Sequence, residues 1–482
     1  MCGFLVTNKP TSDLELDYAN FYIKFRGPDH TEKRKIENIH FVHNLLSLTG
    51  EFRPQPIFEN NIAVVFNGEI YNFKELDKNA KSDGDIIIPL YREYGIKFLD
   101  KLDGEFSIVL IDFNKNKAIL AVDPFETKPL YVAHNKSYFG ASSLRSGLTR
   151  LGFKHIREMR CNTGIVYNIR TLAVEEIFEI HRFDVENEHK KTFNDWQNAF
   201  ETAVLKRLKY IDLKKTGVGL HLSEGYDSGS IAACLKKYNL SDDILIHSLV
   251  TQEEHPDILR WRHNLDLNTL TKNNKGEDFM PPNFKKSILD NIREEDFVLS
   301  NILYKKRVED FNYYTLTPEA KLEVRNSYYH FTRNIYHLIY KAKLKYNCRV
   351  GLGGYGGDGV SSAWVNKIYK KYKGLWPIIN FRDNSMYLSD IIAGSLGVEI
   401  RNPYMDKALW QESFWMDKSV YKNENNNHKP PLHDYLEKEK FPFYKRNEKN
   451  DIEFFWIGFG NFLNFDSIHK DPIHVPQPDI TL

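Results

Sequence analysis

The chain changes its pattern near residue 186, and that break constrains the fold more than any other feature. Up to about residue 180 it reads as short alternating or apolar strands, among them segments 62–66, 106–111 and 117–122. Turn signals punctuate them: Asn67-Gly68, Asp103-Gly104 and Asp123-Pro124. One helix is expected around residues 86–94, from apolar side chains at 86, 87, 90 and 94. A polar run at 186–191 reads as a linker. Beyond it helical periods dominate, broken by buried-strand candidates at 217–222, 244–249 and 349–352. Strand, glycine-bearing turn, helix and strand in succession is the pattern of a parallel α/β sheet. Two domains are therefore expected, at 2–185 and 192–470, with an irregular tail at 471–482 that holds Pro472, Pro476 and Pro478.

With 482 residues the chain exceeds one ordinary core. A net charge of +1 provides no global field to gather nucleic acid or an anionic membrane, so neither is expected as a partner. The four cysteines (Cys2, Cys161, Cys234, Cys348) are scattered and form no CxxC pair, which argues against a disulfide framework or a zinc ribbon and for a reducing compartment. Charged residues Lys9, Asp13, Glu15 and Asp17 near the start leave no signal-peptide core. No stretch approaches the ~18 uninterrupted apolar residues of a spanning helix. A soluble, cytoplasmic protein is expected.

Cys2 is an odd place for a structural thiol, because frayed termini expose thiols to oxidation. If Met1 is removed, one residue carries both the thiol and the α-amino group. An α-amine with a pKa of about 7.7–8.0 can accept the thiol proton near neutrality, so nucleophile and base coincide. An incidental cysteine is the plainer reading until the downstream segments are considered. These are Arg26-Gly27-Pro28-Asp29, His43 to Ser47, Phe66-Asn67-Gly68-Glu69-Ile70-Tyr71-Asn72, Ser82-Asp83-Gly84-Asp85 and Asp123 to Tyr131.

In this order, the segments resemble the glutaminase domain of class II glutamine amidotransferases, specifically of the asparagine synthetase family. The resemblance implies that Cys2 attacks the glutamine side-chain amide to give a thioester and ammonia. Asn67 and the Gly68 N–H would form the oxyanion hole, and Asp83, assisted by Glu69, would bind the substrate α-ammonium. The family arginine that clamps the glutamine α-carboxylate is replaced by Leu45, so Arg53 or Arg26 is the expected substitute. Pro124 and Glu126 also stand where the family carries Arg and Gly.

The run Leu222-Ser223-Glu224-Gly225-Tyr226-Asp227-Ser228 follows a strand and precedes a helix. It resembles the phosphate-cradling loop of N-type ATP pyrophosphatases, although a simple helix cap would use the same residue types. Leu222, Ser223, Gly225, Asp227 and Ser228 are the expected ATP-binding residues, with Gly353 and Gly354 from the segment Gly353 to Gly359. Asp227 and Asp358 are the Mg²⁺ candidates. Glu224 departs from the family glycine. Tyr355 and Gly359 replace family glutamates, and Tyr355 is similar to the β-lactam synthetases. Asp390 is the expected acidic partner of Tyr355, Glu399 and Arg401 form an expected structural pair, and Lys449, with Lys445 as its rival, is the expected pyrophosphate-stabilising lysine.

The resemblance thus implies a four-layer αββα N-terminal-nucleophile domain followed by a parallel-sheet α/β ATP-pyrophosphatase domain. The implied activity is glutamine-dependent adenylation and amidation of a small carboxylate, by default aspartate to asparagine, with ATP, Mg²⁺ and L-glutamine, and with room for a homodimer. An ATP-dependent cyclase, and a non-catalytic relative, are the alternatives.

Overall fold

The structure is a computed structural model. It describes residues 2–21, 23–247, 262, 339, 342–343, 346–362, 369–370, 389–390, 393–394, 396–421 and 429–443. Lys449 and Lys445, the 471–482 tail, the last two residues of the 244–249 strand candidate and nearly all of 250–345 lie outside the described residues.

Twelve strands precede residue 180. They are β1 (Gly3–Thr7), β2 (His30–Ile36), β3 (Ile39–Leu45), β4 (Ile57–Glu59), β5 (Ile62–Ile70) and β6 (Gly104–Asp112), then β7 (Lys117–Val122), β8 (Tyr131–His134), β9 (Phe139–Ser142), β10 (Ile156–Glu158), β11 (Thr163–Asn168) and β12 (Val174–Glu179). They form two six-stranded sheets, in the orders β10-β8-β9-β1-β3-β2 and β12-β11-β7-β6-β5-β4, and every pairing is antiparallel.

Period-2 alternation stacks these sheets. Phe4 and Val6 of β1 share a core with Ala63 and Val65 of β5 and Val109 and Ile111 of β6, so one face of each sheet packs on the other. Leu5 and Val42 turn outward to meet Leu16 and Ala19 of helix α1 (Asp13–Phe21). Val64, Phe66, Ile108 and Leu110 turn the opposite way, onto Ile87, Leu90 and Tyr91 of helix α2 (Ile87–Tyr94). The order of layers is helix, sheet, sheet, helix, as expected.

The Asn67-Gly68 turn signal is overruled. β5 runs straight through it, pairing Asn67 with Ser107 and Gly68 with Phe106. Gly68 has φ +138°, and a Cβ there would lie 1.8 Å from the Glu105 carbonyl oxygen. Glycine is needed for close strand approach, not for chain reversal.

The second unit is a four-stranded parallel sheet of β13 (Val218–His221), β14 (Ile244–His247), β15 (Val350–Leu352) and β16 (Glu399–Arg401), ordered β14-β13-β15-β16. The order reverses between β13 and β15, so the loops leaving their carboxyl ends flank a topological switch point, where open α/β sheets bind ligands. Helices α3 (Asn194–Lys206), α4 (Tyr226–Lys237), α5 (Lys407–Trp415) and α6 (Pro430–Lys438) surround it. Its core also takes in Leu46, Phe125 and Phe183 from the sandwich side, joining the two units through apolar contact. The 186–191 stretch is pinned rather than free: His189 and Lys190 N–H both donate to the Trp415 carbonyl. No described helix is long and apolar enough to cross a membrane.

Candidate active site

Cys2 lies just before β1 and is buried. β1 touches β5, the strand that carries Asn67 and Glu69, across the sandwich, and Glu69 acts electrostatically on the Cys2 thiol. Burial pushes the thiol up to about 12, with the neighbouring Glu399 and Glu69 adding to the rise, while the Leu46 N–H favours the thiolate. A thiol this reluctant to ionise needs a base in contact with it. Asn67 is fully buried, and neither its Nδ2 nor its Oδ1 has a hydrogen-bond partner among the described residues. Orphaned buried amides are rare and expensive, which fits a donor kept for a developing oxyanion.

Asp83 is buried at the start of a 3-10 turn, where it accepts from the Ile70 N–H at 3.0 Å. Burial raises it to about 7. Glu69 is also buried, and desolvation raises it to about 8 despite an opposing effect of Arg401. Arg53 does not join this group: its guanidinium is half exposed and its Nε pairs with Asp85 at 2.9 Å. Arg26 is committed elsewhere, donating to the Cys2 carbonyl at 3.1 Å and to Asp390 at 2.9 Å. Leu45 is buried in β3.

At the switch point, the Ser223 N–H donates to Ser228 Oγ at 3.0 Å, the two hydroxyls meet at 2.9 Å, and the Gly225 N–H donates to Ser223 Oγ at 3.1 Å. α4 begins at Tyr226 with no side-chain cap, and its first turn carries Asp227. The second loop approaches so closely that a Cβ on Gly357 would lie 2.3 Å from Asp227 Oδ1, and one on Gly354 3.2 Å from its Cβ. Gly353 donates its N–H to the Arg401 carbonyl at 2.9 Å. Leu222 is buried behind the loop.

Two further residues belong here that the sequence reading passed over. Lys429 Nζ lies 2.8 and 2.7 Å from the two oxygens of Asp227 and also contacts Asp358 Oδ1. Arg262, buried, donates to the Ser223 and Gly225 carbonyls and braces the loop from behind. The one local signal for Lys429 is the Pro430-Pro431 pair that starts α6 directly after it.

Tyr355 does not meet Asp390. Its hydroxyl bonds Ser389 Oγ, while Asp390 faces Arg26 and, at 3.8 Å, Lys128. Two buried cations outbid a phenol for one carboxylate. Burial pushes the Tyr355 hydroxyl up to about 12, away from use as a base. Glu399 and Arg401 do pair, at 2.6 Å.

The four-layer sandwich thus carries a buried cysteine at its N-terminus and, among the described residues, an orphaned buried amide at Asn67. Residues 1–184 match the family model of a glutamine amidotransferase domain. A Methanocaldococcus jannaschii relative that bears a provisional asparagine synthetase (glutamine-hydrolysing) name is 28% identical over 54% of this chain and 51% of its own length. Asparagine synthetase (glutamine-hydrolysing) 1 of Lotus japonicus is 31% identical over 45% of this chain and 38% of that protein. The chain spans about half or less of the length of these curated relatives. The solved glutamine phosphoribosylpyrophosphate amidotransferase of B. subtilis aligns over 46% of this chain and 60% of its own, with 12% identity and a TM-score of 0.31.

Proposed function

We propose that the chain is a two-site ligase, in which ammonia cut from glutamine at Cys2 amidates a carboxylate activated by ATP at the parallel sheet. The observation that carries this reading is the buried Asn67 amide, without a partner among the described residues, on the strand that β1 meets, in a sandwich joined to a switch-point loop pair that carries Asp227 and Asp358.

In the first site the Cys2 sulfur adds to the glutamine carboxamide carbon after passing its proton to its own α-amine. The oxyanion is taken by Asn67 Nδ2 and the Gly68 N–H. The Cys2 α-ammonium returns the proton to the carboxamide nitrogen as the C–N bond breaks, ammonia leaves, and water hydrolyses the thioester to glutamate. Asp83 and Glu69 hold the substrate α-ammonium. In the second site Ser223, Gly225, Ser228 and the first N–H groups of α4 cradle phosphate, with Leu222, Gly353 and Gly354 forming the adjoining wall. Asp227 and Asp358 converge on one cation, Lys429 Nζ, so the same pair fits Mg²⁺, which when bound would neutralise the triphosphate. Ammonia displaces AMP from the acyl-adenylate, with pyrophosphate already released. Aspartate is the default acceptor, by similarity to the asparagine synthetases.

Cys2→Ala is the test. Amide formation and steady-state pyrophosphate turnover should vanish with glutamine as donor and persist with added ammonia, while the single equivalent released on adenylation remains in both. Pyrophosphate release sustained over many turnovers, beyond the single equivalent of the adenylation step, with no need for ammonia would overturn the reading in favour of cyclisation, a route that Tyr355, bonded to Ser389 and hard to ionise, supports poorly.

A further inference from the structure

Leu45 supplies no cation to the proposed glutamine site, and Arg53 and Arg26 pair with Asp85 and Asp390; the guanidinium that contacts Glu69 comes from the other unit. Arg401, on β16, is buried to 2% exposure, and its Nη2 lies 3.0 Å from Glu69 Oε1 and 3.1 Å from Thr49 Oγ1. Its other nitrogens are fixed from its own side: Nε on Glu399 at 2.6 Å and Nη1 on the Arg207 carbonyl at 2.6 Å. The planar fork therefore has one orientation, with a single edge presented to Glu69. Glu69 Oε2 is buried with no partner among the described residues. One oxygen is thus anchored by Arg401 and the other is kept open beside the nucleophile, which Glu69 influences electrostatically.

We propose that Arg401 is a positioning residue that holds Glu69 as an oriented carboxylate, so that the sandwich's grip on the glutamine α-ammonium depends on the second unit. This rests on the glutaminase reading above. The groups facing Glu69 are Arg401 and Glu399 from β16, Asp83 from the 3-10 turn, and Thr49. Burial, Glu399 and Asp83 all favour protonated Glu69; Arg401 alone among the charged groups opposes them. Glu69 then ionises as pH rises toward about 8, and the KM for glutamine falls across that range. Without Arg401 ionisation moves to higher pH, so the KM rises most at neutral pH.

The experiment is glutamate release from glutamine between pH 6 and 9, for the wild type, Arg401→Met, Arg401→Lys, Glu69→Gln and the double variant Glu69→Gln/Arg401→Met. Arg401→Met should raise the KM by about tenfold at pH 7, the effect of a one-unit titration shift, with kcat within a few-fold and the KM converging on wild type at alkaline pH. Arg401→Lys should recover most of the loss. In the Glu69→Gln background, Arg401→Met should add nothing. An unchanged KM in Arg401→Met, or a rise equal at every pH and in both backgrounds, would overturn the proposal. If Arg401→Met does not fold, Glu69→Gln decides: it must remove the fall in KM near pH 8 and leave only the one near pH 7 that belongs to Asp83, and persistence of the step near pH 8 refutes the proposal. A wild type that hydrolyses no glutamine would instead overturn the glutaminase reading, and this inference with it.

Discussion

Arg26 and Asp390 meet at 2.9 Å with both side chains buried, 364 residues apart in the chain. The same guanidinium holds the Cys2 carbonyl, so one ion pair ties the nucleophile to the second unit. Asp390→Asn should leave Arg26 and Lys128 without their shared carboxylate in a dry site. The expected cost is ~3–5 kcal/mol, the range for breaking a buried pair from one side. Thermal unfolding should show the loss, and glutaminase activity should fall with it. An unchanged midpoint would mean that water reaches the pair.

Asn67→Leu separates function from stability. Losing the oxyanion donor should lower glutaminase kcat by ~10²–10³. Removing two unpaired buried polar atoms with little volume change should leave stability equal or higher, by up to ~1 kcal/mol. Steady-state kinetics and chemical unfolding on one preparation check both.

Most of the sandwich was legible because its strands alternate with period 2 and its chemistry lies in short local runs. The Cys2 start, Phe66 to Asn72 and the Asp83 turn each declare themselves within a few residues. The parts missed are long-range. Arg401 acts on Glu69 from 332 positions away, and Lys429 reaches Asp227 from 202 away; no local pattern encodes either. Asn67-Gly68 misled for another reason: the turn propensity is real, but nine residues of β5 pair with β6 and outweigh it. Arg53 misled because surface charge found a nearer partner in Asp85.

Glu126 sits at φ +53°, in the left-handed region, at a position where the resemblance expects glycine. The Asp123 carboxylate fixes this turn by accepting from Phe125, Thr127 and Phe106 N–H groups, so the strain cannot relax. Glu126→Gly should stabilise the protein by about 0.5–1 kcal/mol, the relief of αL strain less the added freedom of the unfolded chain. A lower unfolding midpoint would show that the Glu126 side chain contributes more than its backbone costs.

Retention of Met1 should act on the thiol, not on the fold. Burial holds the Cys2 thiol near 12, so its thiolate is scarce at neutral pH unless an adjacent amine takes the proton. With Met1 in place that amine is an amide. Alkylation of Cys2 by iodoacetamide, followed by peptide mass, should be slow at pH 7 and rise steeply with pH in the Met1 form. It should be fast and nearly flat above pH 8 in the trimmed form. Equal rates in the two forms would remove the α-amine from the mechanism.

Lys429 poses the same question for the second site. Burial alone would discharge its ammonium, but Asp227 and Asp358 outweigh that and hold it charged. A cation shared by two carboxylates, on the lip of a phosphate cradle, can either stand in for a metal or partner the leaving pyrophosphate. Lys429→Met distinguishes these roles. If it partners the leaving group, ATP–pyrophosphate exchange should fall by ~10² at saturating Mg²⁺, with little change in the ATP requirement. If it only stands in for metal, exchange should be intact and half-saturation by Mg²⁺ should move to lower concentration, because the two aspartates are freed. Glutaminase activity, whose proposed residues make no contact with Lys429 among the described residues, should be unchanged in either case.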